Sequence, residues 1–267
     1  MEVSNRTTAR GVALVRFLAI RSSAACLLLG CALVLAEELD AEYHADSVRF
    51  SIAEVPPWGY VDQQGDPAGL LVELVRAIAD QLSEPIEYRL RPTPRTISEL
   101  RHGDADFSVL FDAPAVQVVG ERLAEVVRMR VLVLGLSDQP AVDELDALHG
   151  RHVGFIRGAW YGQAFHAHEG LNTVPVSDAE HGFRLLEKDR IQALVVTEFA
   201  ASAGLNRQMA EQLVILLELP EVTGSVYQSH RSHQRELAPQ MREVILGLRE
   251  SGRLEQIFAR PEWLFGD

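Results

Sequence analysis

Cysteine is almost absent from this chain of 267 residues: the only two, Cys26 and Cys31, lie close to the amino terminus. The remainder therefore holds no disulfide framework, no thiol nucleophile and no Cys-based metal site. Lysine is scarcer still, with Lys188 alone, which leaves little room for Schiff-base or phosphate-binding lysine chemistry. Basic clusters are missing too. Lys plus Arg number 25 against 38 acidic residues, a net charge of -13, and no Lys/Arg run supplies the basic face that nucleic acid requires. Neither a Gly-x-Ser-x-Gly elbow nor a Gly-x-Gly-x-x-Gly loop nor a P-loop occurs, so the common hydrolase and nucleotide-binding signatures are excluded. The nine His residues form no His-Glu-x-x-His motif. His166 and His168, two apart, would diverge on a helix, and His149 and His152 flank Gly150. No metal and no cofactor is expected.

Apolar residues make up 47% of the chain, enough for most of it to fold around a core. Arg6, Arg10, Arg16 and Arg21 precede an apolar run from Ala24 to Ala36, a basic segment followed by a hydrophobic one too short to span a bilayer comfortably. Residues 1–36 are expected to be a signal peptide cut after Val34-Leu35-Ala36, an uncleaved anchor being the alternative. The location follows as periplasmic or extracellular. Leu28-Leu29-Gly30-Cys31 also resembles a bacterial lipobox, which would make the protein a lipoprotein anchored at Cys31.

Beyond the leader, Ser47–Ile52 alternates as a strand, and Pro56–Pro67 is rich in turn residues. Apolar positions from Leu70 to Leu82 recur at helical spacing. Ile86–Leu90 reads as a strand, Thr96–Leu100 as a short helix ending near Gly103, and Asp106–Phe111 as another strand. The rhythm restarts with β-prone Val126–Leu136, then His152–Ile156, a helix over Asp178–Leu186 capped by Ser177 or Asp178, and the apolar strand Ile191–Val196. Residues 213–219 form a further apolar run, and Arg235–Phe258 is helical with a break at Ser251-Gly252. Strands alternating with helices predict an α/β fold with mostly parallel sheet.

The order of these segments resembles a known family, the bacterial extracellular solute-binding proteins of polar amino-acid ABC importers. The likeness is carried by Glu54-Val55-Pro56-Pro57-Trp58-Gly59-Tyr60, Ala68–Leu74, Leu100–Asp106, Leu148–Gly154 and Gly247–Ile257. It implies a periplasmic-binding-protein-like α/β fold. Two lobes, each with a central mostly parallel sheet flanked by helices, are joined by two crossing hinge strands. Residues 46–127 with 223–267 would form one lobe and 128–222 the other. The cleft between them is where the resemblance places a ligand.

The residues that amino-acid binders use depart from the family pattern. The stretch that would supply hydroxyl groups is Leu110-Phe111-Asp112-Ala113-Pro114, and the carboxylate-clamping Arg falls near Val118, with Arg122 about one helical turn away. The second-lobe acid aligns with Thr197, beside Glu198. The resemblance places Glu54, Asp112 and Glu198 near the cleft mouth, where focused negative potential would favour an amine-bearing solute; the plainer reading makes them solvated loop residues. Trp58 and Phe111 would stack on a ligand or simply pack, and Trp160 would close the cleft from the second side or simply pack. Arg95 would supply an anion contact or start a helix, and Arg157-Gly158-Ala159-Trp160 would open a helix whose free amides could face an anion.

The leading expectation is an extracytoplasmic solute-binding protein, a monomer and not an enzyme. It would close over a small polar solute and deliver it to an ABC permease. The alternative is a sensory or accessory binding protein with a degenerate cleft, acting through a membrane sensor. A dehydratase-like enzyme using Glu54 or Glu198 is a third reading.

Overall fold

Alternation at Val48–Ala53 gives the first strand (β1), whose buried Val48, Phe50 and Ile52 mark the face turned to the core. The structure is a computed structural model and describes residues 47–259, which belong to one compact unit. The expected leader over 1–36, its cleavage after Ala36 and the lipobox residue Cys31 lie outside the described residues.

After β1 a loop with a cis Pro56–Pro57 bond leads to a small hairpin, β2 (Tyr60–Val61) and β3 (Pro67–Ala68). Helix α1 (Leu70–Ala79) follows and buries Leu71, Leu74, Val75 and Ile78 along one stripe. It begins after Gly69 at φ 116°, where a Cβ would meet the Trp58 carbonyl oxygen at 2.6 Å. The amides of Leu70 and Leu71 donate to the carbonyls of Pro57 and Trp58, both at 2.9 Å, so the helix start fixes the loop that carries Trp58. Next come β4 (Ile86–Arg91), α2 (Thr93–His102) and β5 (Phe107–Phe111). Pro94 occupies the first turn of α2, and Gly103 ends the helix in the left-handed conformation.

A single helical turn, α3 (Pro114–Gln117), precedes the long strand β6 (Gly120–Leu136). The second α/β stretch holds β7 (His152–Ile156), α4 (Gln163–His166), β8 (Asn172–Val176), α5 (Ala179–Glu187), β9 (Ala193–Thr197), α6 (Glu198–Gly204) and α7 (Arg207–Ala210). Asp178 caps α5 by accepting the His181 amide at 2.7 Å. The chain returns along β10 (Leu213–Ser229) and ends in α8 (Ala238–Glu250) and α9 (Arg253–Ile257).

The eight long strands form one sheet in the order β4-β1-β5-β10-β6-β9-β7-β8. Each outer third is parallel, whereas the pairings of β10 with β5, β10 with β6 and β6 with β9 are antiparallel. One continuous sheet thus stands where separate sheets joined by crossing strands were expected. The reason is length: β6 and β10 run 17 residues each, enough to be shared by both outer thirds. Helices flank the sheet, as the α/β reading anticipated.

Candidate functional site

Four strands, one parallel pair from each outer part of the sheet, end on the same cavity. Ala53 closes β1, Phe111 closes β5, Ile156 closes β7 and Thr197 closes β9, and all four line one hollow. In open α/β sheets the carboxyl ends of the strands face the crevice where ligands bind. The empty space amounts to about 640 Å³, including the part open to solvent. Its walls are apolar: Val55 and Trp58 from the loop after β1, Leu71 from α1, Val109 from β5, Val127 from β6 and Ala200 from α6.

Aromatic packing closes one side. Trp58, only 8% exposed, meets the edge of Phe111 at 5.9 Å and the tilted ring of Phe199 at 5.5 Å. Phe199 in turn packs edge-on against Phe258. On the other side the chain turns at Gly158, φ 80°, where a Cβ would lie 3.4 Å from that of Thr93, so the turn sits directly over the start of α2. Any side chain there would strain the backbone, although its Cβ would only touch Thr93 at ordinary contact distance.

Polar groups in the walls are few. Arg157 is the one charged side chain among them, and it makes no ion pair or hydrogen bond among the described residues. Tyr161 is fully buried, its hydroxyl accepting the Ile156 amide at 3.3 Å. Burial pushes its ionisation well up, so the hydroxyl keeps its proton and remains a donor. Thr197 accepts the Ala200 amide at 3.4 Å, capping α6, and Thr93 contributes a second hydroxyl.

Of the residues singled out in the sequence, the structure brings Trp58, Phe111 and Arg157 together in these walls. The other five are not among the lining residues. Glu54 is exposed in the loop after β1. Arg95 reaches Glu99 at 3.2 Å, one turn along α2. Asp112 accepts from Arg122 Nε at 2.8 Å and from the Tyr227 hydroxyl at 2.9 Å, so the displaced arginine is already paired. Burial and that carboxylate push the Tyr227 hydroxyl up as well. Glu198 is buried, its Oε1 accepting the Arg130 amide at 3.1 Å. Trp160 stacks flat on His166, centroids 4.6 Å apart, and packs against the small cluster around Leu100 and Leu110.

Three wall or support residues were not anticipated. Thr93 sits in the same proline-flanked stretch as Arg95, and only the start of α2 reveals which of the two meets the cavity. Tyr161 lies between two turn glycines with no periodicity to mark it. Phe199 follows Glu198 on a helix of seven residues, too short for an amphipathic pattern to show. Among the described residues no group of three or more His, Cys, Asp or Glu is placed to hold a metal.

Residues 49–264 match the family described as bacterial extracellular solute-binding proteins, family 3. No curated protein matches the chain. Among solved structures, a histidine kinase sensor domain with similarity to periplasmic binding proteins superposes with a TM-score of 0.70 at 22% identity, covering 84% of this chain and 99% of its own. An ancestral arginine-binding protein bound to arginine gives 0.67 at 20% identity, over 84% and 100%. The substrate-binding protein of an amino acid ABC transporter gives 0.65 at 20% identity, over 79% and 96%. Identities this low carry the fold and not the ligand.

Proposed function

We propose, from the premise that this chain belongs to the bacterial extracellular solute-binding proteins of family 3, that it captures a small solute outside the cytoplasm and hands it to an ABC permease. The chain is a binding protein and not an enzyme. The observation that carries the reading is the cavity at the carboxyl ends of β1, β5, β7 and β9, walled by residues far apart in sequence.

In this reading residues 46–127 and 223–267 form one lobe and 128–222 the other, with β6 and β10 as the strands that link them. Trp58 against Phe199, and Thr93 against Gly158, are then contacts made on closure. Export through residues 1–36 leaves a soluble protein if the chain is cut after Ala36 and a lipid-anchored one if it is cut before Cys31. The expectation of an amine-bearing solute rested on Glu54, Asp112 and Glu198, none of which lines the cavity, and it is not carried forward.

The test is the unfolding midpoint of the full chain against amino acids, organic acids, polyamines and short peptides. A ligand of the folded state stabilises it by about 2.7 kcal/mol at a hundredfold excess over Kd. A rise with one class supports solute capture; no rise with any of them contradicts it. The second reading, a sensory protein acting through a membrane partner, is favoured by the likeness to a kinase sensor domain and by a cleft partly filled by its own Trp58. It predicts the flat outcome.

A further inference from the structure

The cavity is unlike one made for a zwitterion. An α-amino acid brings an ammonium and a carboxylate, and both must be paired when water is excluded. Here no carboxylate lines the walls. Of the carboxylates next to lining residues in sequence, Asp112 and Glu198 are held by Arg122 and Tyr227 and by the Arg130 amide respectively, and Glu54 is exposed in the loop after β1, outside the walls. An ammonium entering the hollow would meet Val55, Leu71, Val109 and the ring of Trp58, without an anionic partner.

The opposite charge has a partner waiting. Arg157 stands at the wall with no ion pair among the described residues, and a guanidinium stays protonated at any physiological pH. Its planar fork suits a carboxylate, which it grips by two parallel hydrogen bonds. Tyr161 and Thr93, each with a hydroxyl, line the same walls.

We propose that the cavity selects a small monoanion with an apolar body, its carboxylate paired with Arg157 and its hydrocarbon or aromatic part against Trp58, Phe111 and Leu71. The assignment rests on the solute-capture reading and sharpens it to a substrate class. It also explains why the walls can be so poor in polar groups: one charge needs one partner, and the rest of such a ligand gains by leaving water.

Calorimetric titration of the full chain decides it with phenylacetate and 4-methylpentanoate, their neutral amides, the amine phenethylamine, and the zwitterions phenylalanine, leucine, arginine and glutamine. The carboxylates are expected to bind at least about tenfold tighter than their amides and than the amine or zwitterions, as the loss of a charge-assisted pair implies. Arg157→Gln should abolish that preference without moving the unfolding midpoint, because the side chain supports nothing else, and Arg157→Lys should restore part of it. Tight binding confined to the zwitterions or to phenethylamine would overturn the assignment while leaving solute capture intact. Carboxylate binding unchanged in Arg157→Gln would overturn the role of Arg157. Silence from the whole set would overturn this assignment, while a rise in the unfolding midpoint with a polyamine or peptide would leave solute capture standing.

Discussion

Asp106 shows what a single side chain does for this fold. It is fully buried and accepts from Arg49 Nε at 2.8 Å, from the Arg49 amide at 3.1 Å and from the Ser232 hydroxyl at 2.8 Å. Burial pushes its carboxyl up, but the hydrogen bonds from Arg49 and Ser232 outweigh that and hold it below its ordinary value of 3.8. A carboxyl depressed in the folded state contributes stability that is fully present above its unfolded pKa and is lost as pH falls through the folded one. Asp106→Ala removes the carboxylate from the partly buried Arg49 guanidinium, which keeps weaker partners such as the Gly103 carbonyl, and should destabilise the chain by about 3 kcal/mol at neutral pH in urea titration. It should also flatten the loss of stability below about pH 4. His166 acts on a different pH range. Burial lowers its pKa despite the contact with the Ala159 backbone that favours the charged ring. Its Nε2 accepts the Tyr161 amide at 3.1 Å, which requires that nitrogen to be unprotonated. Above about pH 6.5 the ring is neutral folded or unfolded and contributes nothing to the pH dependence. Below it the unfolded chain takes the proton first, and stability falls until the folded pKa is passed. The melting temperature should therefore drop less between about pH 7.5 and 5.5 in His166→Gln than in the parent; parallel curves would contradict this.

At the scale of elements, the entry into α1 makes the sharpest case. Gly69 holds φ 116° with the Trp58 and Pro57 carbonyls at 2.6 and 2.7 Å from where a Cβ would stand. Gly69→Ala combines a strained backbone with a clash and should lower stability by about 2 kcal/mol or more in thermal unfolding. Because the same turn fixes Trp58, weaker solute binding should accompany it. Elements with a strong local period were legible in the sequence: the stripe of α1, the apolar runs of β5 and β9, and the start of α5, where Asp178 proves to be the cap of the two offered, Ser177 and Asp178. Elements that depend on partners were not. The apolar run at 213–219 breaks at Pro220, yet β10 continues to Ser229, because a register shift between Leu219 and Val222 absorbs the interruption as a bulge. Likewise β6 starts at Gly120, six residues before its apolar part, where Glu121 and Arg122 point outward and hide the strand. The candidate site was legible only in part for the same reason. Trp58, Phe111 and Arg157 stand where turns and strand ends announce themselves. The neutralisation of Asp112 by Arg122 and Tyr227 joins residues up to 115 positions apart, and no local pattern records that.

Across the whole molecule, the two parallel parts of the sheet meet through Trp58. Its ring touches Phe111 at the end of β5 and Phe199 on α6, and Phe199 reaches Phe258 beyond α9. Trp58→Ala would empty the middle of that chain and should cost about 3 kcal/mol of stability, with at least a tenfold loss of solute affinity by titration. The central claim is that one solute is held by both parallel parts of the sheet at once. Hydrogen exchange of the full chain, with and without the solute that raises its unfolding midpoint most, tests this most directly. Slowed exchange is predicted together at Val109–Phe111 and at Arg157–Tyr161, the two sides of the cavity. Protection at only one of these segments, at neither, or no solute that raises the midpoint at all, would contradict it.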